Sequence, residues 1–155
     1  MEQKTKITAE DGRQEMMITR DFDLPLELLF RAYVDPEILG QWMTSKVIRL
    51  ESKKNGSYQL EKKDDKGNVV FQAHGVIHEF IPGSKIIRTF EMGNTPFGVQ
   101  LEIYDFERLT EDTSRLRMHV IYESVEQRDQ VMKFAFAQGI NWAHNQLEQV
   151  VAKLK

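Results

Sequence analysis

The chain has 155 residues, 41% of them hydrophobic, and a formal net charge of -3, enough for one globular domain with a sizeable core. Lys and Arg are interspersed among Asp and Glu, with a pI near 5.8, so no basic face meets a phosphate backbone or anionic lipid, and neither nucleic acid nor membrane is expected as a partner. Cysteine is absent, which excludes disulfides and thiolate chemistry and leaves only His and carboxylates to hold a metal.

Residues 1–14 are polar and read as a flexible lead-in with no apolar core for a signal peptide, and no apolar run approaches membrane-spanning length. The expectation is one domain over 1–155, in the cytoplasm. A first strand is predicted at 16–22. After it, Asp23-Leu24-Pro25 puts proline at a first helical position and starts a short helix through Leu28, Leu29, Phe30 and Tyr33. Asp35 as N-cap and Pro36 at N1 start another, with Ile38, Leu39 and Trp42 as its apolar side.

Strand-sized pieces follow, predicted at 47–51, 57–62, 69–80, 85–92, 97–109 and 115–122. The breaks between them are short and rich in Gly, Asn, Asp and Pro, as antiparallel hairpins require. In the last strand Leu116, Met118, Val120 and Tyr122 share one side while Arg115, Arg117 and His119 share the other, the pattern of a sheet buried on one face. In the strand before it, Val99, Leu101 and Ile103 oppose Gln100 and Glu102, which assigns the three apolar residues to the dry face. The alternation then reverses at Tyr104, Asp105 and Phe106, so a bulge or bend is predicted there. Strand 85–92 is mixed on both sides and fixes no inner face.

Residues 125–155 lack proline and keep a helical repeat through Met132, Phe136, Ile140, Leu147, Val150 and Leu154, predicting one long amphipathic helix. The architecture that buries both faces is α+β: a bent antiparallel sheet wrapped around the long C-terminal helix, with the two short helices closing one end. Trp42, Phe90, Tyr104, Met118, Phe136 and Ile140 are expected to meet inside. Ala135, Gly139 and Ala143 form a stripe of small side chains on the helix. Two readings of the stripe stay open: close approach of helix to strand, or a hollow filled by a small apolar molecule.

Chemistry-bearing motifs are sparse. His74 and His78 project from one strand about 13 Å apart, too far to share an ion, so no metal site is expected. No nucleophile elbow, Ser-x-x-Lys pair or phosphate-binding glycine motif occurs, so no catalytic residue and no cofactor is assigned. Polar side chains available to orient a ligand are Tyr58, Arg88, Glu91, Tyr104, Tyr122, Asn141 and His144. Glu91, Tyr104 and His144 are the acid-base candidates, although a surface position is the ordinary expectation for His144 on a helix.

Residues 18–43, ITRDFDLPLELLFRAYVDPEILGQWM, resemble the opening of the SRPBCC (START-like, Bet v 1-like) superfamily and, within it, of the family named after the activator of Hsp90 ATPase. The matching positions are Phe22, Asp23, Pro25, Phe30, Ala32, Asp35, Pro36 and Trp42, with Leu24 where alanine is more usual. Gly75-Val76-Ile77, Pro82, Arg128-Asp129, Gly139 and Leu147 extend the resemblance over nearly the whole chain. It implies a helix-grip fold with an apolar cavity between sheet and long helix. Trp42, Tyr58, Phe90, Tyr104, Met118, Phe136, Gly139, Ile140 and Ala143 are the cavity-lining candidates. The function it implies is binding of a small hydrophobic molecule, with a co-chaperone-like interaction module and a cyclase-type acid-base enzyme as alternatives. A chaperone contact and a homodimer stay open as further partners.

Overall fold

Asp35 and Pro36 start the second short helix where the sequence puts it, whereas Pro25 stands at the N-cap of the first rather than at its first helical position. The computed structural model describes residues 4–134 and 136–155, with the backbone alone at 136 and 137. Helix α1 spans Leu26–Val34 and α2 spans Pro36–Met43. Between them the Asp35 carboxylate accepts hydrogen bonds from the Glu37 and Ile38 amides, with Pro36 in the first turn, which satisfies two amides that a helix start leaves open.

Eight strands form one antiparallel sheet: β1 (Lys6–Thr8), β2 (Glu15–Phe22), β3 (Lys46–Leu50), β4 (Ser57–Lys63), β5 (Val69–Ile81), β6 (Lys85–Met92), β7 (Val99–Arg108) and β8 (Ser114–Ile121), in the order β1-β2-β8-β7-β6-β5-β4-β3. Helices α3 (Val125–Lys133) and α4 (Phe136–Ala152) complete the chain. The α+β helix-grip architecture is therefore as expected. Strand β1 is an addition: residues 6–8 lie in the stretch read as a flexible lead-in, yet pair with β2 through Ile7 opposite Ile18. The Thr5 amide donates to the Asn141 Oδ1 on α4, and Thr5 is buried. A polar composition does not prevent pairing when the partner strand offers an open edge.

The single long helix is corrected to two. Ser124 caps α3 by accepting from the Gln127 amide, and Phe134 leaves the helical conformation at φ -92° and ψ 39°. Phase is the reason. Arg128 and Val131 are buried on α3, whereas His144, Leu147 and Val151 are buried on α4. At about 100° per residue, an unbroken helix would hold Arg128 and His144 about 160° apart around its axis, so the chain breaks and each segment turns its own face inward. Arg128 then donates to the carbonyl oxygens of Glu10 and Glu15, fastening α3 to the segment that leads into β2.

The inner face of β7 is also corrected. Glu102, Tyr104 and Phe106 are buried, and Val99 is 39% exposed with Asp105 also outside. From Gln100 to Phe106 the even-numbered residues face the core, so Val99, Leu101 and Ile103 are on the outer side, and β7 pairs in continuous register with both neighbours, without the bulge expected near Tyr104. Side chains alternate with a period of two, so one residue class had to win. Tyr104 and Phe106 pack with Tyr33 at ring separations of 5.4 and 5.6 Å, and this aromatic burial carries Glu102 inward with it. The register shifts lie instead in the pairings of β3 with β4, β4 with β5, and β5 with β6.

Two glycines behave oppositely. A Cβ on Gly75 would lie 2.0 Å from the Thr89 carbonyl oxygen and 2.7 Å from the Tyr58 hydroxyl, and only its absence lets Tyr58 reach across β5 to donate to Thr89. A Cβ on Gly139 would meet no atom within 4 Å, and the residue is exposed. Close approach is thereby overturned as the reason for Gly139, and so is inward packing. Ala135 and the Phe136 side chain lie outside the described residues. Gly75→Ala is expected to destabilise by about 1 to 3 kcal/mol through overpacking, and Gly139→Ala to stabilise by up to about 1 kcal/mol through helix propensity. Urea unfolding of the two variants measures both.

Candidate functional site

The inner face of the sheet holds a charged group where apolar residues would be the ordinary content. Arg88 on β6 and Glu102 on β7 are register partners, with the guanidinium Nε donating to Glu102 Oε1 at 2.8 Å. Arg88 Nη2 donates to the Tyr104 hydroxyl at 2.7 Å, and that hydroxyl donates onward to Glu102 Oε1 at 2.9 Å. Gln100 Nε2 donates to the other carboxylate oxygen at 2.8 Å. The Arg88 side chain is 14% exposed and that of Glu102 5%. Each member of the cluster points the same way because positions 88, 100, 102 and 104 share one parity across the paired strands.

Aromatic rings enclose the guanidinium. Its carbon lies 4.6 Å from the Tyr58 ring centroid, 4.9 Å from that of Tyr104 and 5.9 Å from that of Phe90, within the range of cation-π attraction. Burial acts to discharge Arg88, but Tyr104, Tyr58 and Glu102 outweigh it and hold its pKa well above the ordinary value. Burial likewise pushes the hydroxyls of Tyr33, Tyr58 and Tyr104 above the ordinary phenol range. All stay protonated near neutrality, and the guanidinium stays charged.

A second polar cluster joins β1, β2 and α4. Arg20, Asn141 and His144 are buried. His144 Nδ1 shares a hydrogen bond with the Thr5 hydroxyl at 2.8 Å, and its ring meets Phe22 edge-on at 5.5 Å. Arg20 donates to Thr5 Oγ1 at 3.3 Å and faces Glu148 at 3.8 Å. The surface position expected for His144 is thus overturned. Burial, with a smaller contribution from Arg20, lowers its pKa to about 3, so it is neutral at physiological pH.

The cavity-lining candidates divide. Trp42, Tyr58, Tyr104 and Met118 are buried, and Phe90, Ile140 and Ala143 are half-buried against the same core. Trp42 donates to the Ala32 carbonyl and packs on Tyr33 at 5.2 Å, and Tyr33 joins it to Tyr104. Gly139 is exposed, with open space where a Cβ would stand. Glu91 and His74 pair across the outer face at 3.4 Å. Glu102 and Gln100 escaped the sequence reading because an apolar-in rule placed them outside, although Arg88 on the neighbouring strand was the available signal for a buried acid.

Two hollows open to solvent elsewhere. One of about 520 Å³ lies on the outer side of β4 to β7 and includes His74, Val76, Thr89 and Val99. The other, about 580 Å³, runs between the end of α2 and β4. Neither is lined by α4. Among the described residues no group of three or more His, Asp or Glu could hold a metal ion, and no helix is long and apolar enough to cross a membrane.

The model of the family described as activator of Hsp90 ATPase homolog 1-like protein matches residues 23–152. The chain belongs to that family. Solved structures agree on the fold of this family member: a Mycobacterium smegmatis protein at 18% identity has a TM-score of 0.82 over 94% of this chain and 95% of its own. A Rhodobacter sphaeroides protein at 21% identity has a TM-score of 0.83 over 96% and 99%, and one from Arthrobacter aurescens at 15% identity has 0.84 over 96% and 91%. No curated protein matches.

His144 gives a pH dependence. Its folded-state pKa of about 3 lies below the unfolded value of about 6.5, so the unfolded chain binds the extra proton between them. The stability held by neutral His144 is fully present above about pH 6.5 and drains as pH falls toward about 3, by as much as about 1.4 kcal/mol per pH unit. Urea unfolding at pH 7, 6, 5 and 4 is expected to show this decline, and His144→Asn to flatten it.

Proposed function

We propose that this family member binds a small, mostly apolar molecule between the inner face of its sheet and the start of α4. The supporting observation is incomplete cover. Phe71, Phe90, Phe97, Met132 and Ile140 are half-buried against the core, while Leu147 and Val151 farther along α4 are fully buried. Apolar side chains left half-covered against the core favour an apolar occupant, since each further Å² removed from water contributes about 25 cal/mol.

Acid-base turnover is less well supported. His144 is neutral and sealed by Thr5 and Phe22, and Tyr104 holds its proton far above neutrality. Neither exchanges protons near pH 7, where a general acid or base works best. A protein-docking role is the second reading, favoured by the outer face, where Val76 and Val99 are 38% and 39% exposed. A chaperone or a second copy is the partner to test there.

Native mass spectrometry of freshly purified protein is expected to show co-purified apolar molecules that dissociate on collisional activation. Uptake of an apolar fluorescent probe is expected to be flat between about pH 6 and 8, because the inner-face guanidinium and phenols keep their charge states there. Protein free of small molecules that also excludes the probe would contradict the reading.

A further inference from the structure

The hollow of about 580 Å³ between the end of α2 and β4 brings Lys46, Lys62 and Lys63 together with a single acid, Glu61. Positive charge is in excess there, in a chain whose formal net charge is -3. Interspersed charges along the sequence hide it, because the lysines meet only when β3 pairs with β4, with Lys46 opposite Glu61. Lys62 Nζ donates to Thr44 Oγ1 at 3.2 Å, and Lys63 lies 3.5 Å from Glu61. Lys46 makes no ion pair or side-chain hydrogen bond among the described residues. The end of α2 supplies the other wall. Thr44 is left-handed at φ 49° and ψ 44°, a strained conformation for a β-branched residue and one that usually falls to glycine. Lysines complement the carbonyl end of a helix, yet the last carbonyls of α2 already receive the amides and hydroxyls of Thr44 and Ser45. The excess charge is left for a ligand.

We propose that this hollow binds a phosphomonoester group on a hydroxylated body, either free in solution or carried as a lipid headgroup. The site is separate from the small-molecule site proposed above and does not rest on it. Charge and donor inventory point to this class. A phosphomonoester carries about -1.5 to -2 at neutral pH and offers three acceptor oxygens, which suits three ammonium groups whose charge Glu61 only partly cancels. Ammonium groups act as point charges on phosphate, whereas a flat carboxylate is met best by a guanidinium fork. The Thr44 and Ser45 hydroxyls donate to the Met43 carbonyl, so their oxygens are left to accept from hydroxyls of the body. Among the described residues the lining contains no apolar or aromatic side chain, so an apolar body has nothing to bury against and a nucleobase nothing to stack on.

Backbone-amide NMR at pH 7.5 and low salt, with glycerol 3-phosphate as the probe, is expected to give saturable shifts that are largest at residues 44–46 and 61–63. Glycerol 3-phosphate is expected to bind about tenfold more tightly than dimethyl phosphate, a singly charged diester, because the attraction scales with charge. Lys46→Gln combined with Lys63→Gln is expected to lower the affinity about tenfold, with an unchanged melting temperature reporting that the fold is intact. Sedimentation with phosphatidylcholine vesicles containing phosphatidic acid separates the two sources. Pelleting that the double variant abolishes assigns the group to a lipid headgroup, and saturable glycerol 3-phosphate binding without pelleting assigns it to a soluble phosphomonoester. Absence of both saturable shifts and pelleting overturns the site. Equal affinity for monoester and diester overturns the ligand class, and binding or pelleting unchanged in the double variant overturns the role of the lysines.

Discussion

An ion pair on the dry side of a sheet has to be satisfied from within the fold, and much of this molecule is arranged around that demand. Removing two charges from water costs several kcal/mol per ion, which their attraction repays only when the remaining donors and acceptors are also filled. Here Tyr104, Gln100 and Tyr58 supply that filling around Arg88 and Glu102. Tyr58 can do so only because Gly75 leaves room for it. Tyr104 is held in turn by Tyr33, which Trp42 packs against from α2. The short helices thus position the polar centre of the sheet.

The two polar clusters do different work. The one around Arg20, Thr5, Asn141 and His144 sits where β1, β2 and α4 converge, and its members bond to one another across long sequence separations. It anchors the middle of α4. The cluster around Arg88 lies within the sheet, on the face where Phe90 is half-buried against the core. The small-molecule site proposed for this fold lies away from that anchor, where cover of the core is incomplete.

Much of this was legible in the sequence. Asp35-Pro36 fixed a helix start to the residue, and the alternation from Leu116 to Tyr122 fixed which face of β8 is dry. The resemblance carried by Phe22 to Trp42 led to the correct family and fold. What was not legible depended on partners distant in sequence. Glu102 faces inward because Arg88 waits on the neighbouring strand and because Tyr104 and Phe106 claim the inner parity. Polar residues at 5–8 form a strand edge and a buried Thr5 because α4 supplies Asn141 and His144. The break before α4 follows from two buried stripes out of phase, which a periodicity count over 125–155 averages into one.

Methionines placed on opposite sides of the sheet give the most direct test of where a ligand sits. Met118 faces inward and is buried, Met132 is half-buried against the core, and Met17 is 38% exposed on the outer side. In methyl-labelled protein titrated with 2-acetylnaphthalene and followed by carbon-13 NMR, saturable shifts are expected at Met118 and Met132 with Met17 unmoved. Saturable shifts at Met17 with Met118 and Met132 unmoved would place the binding surface on the outer face and contradict the account.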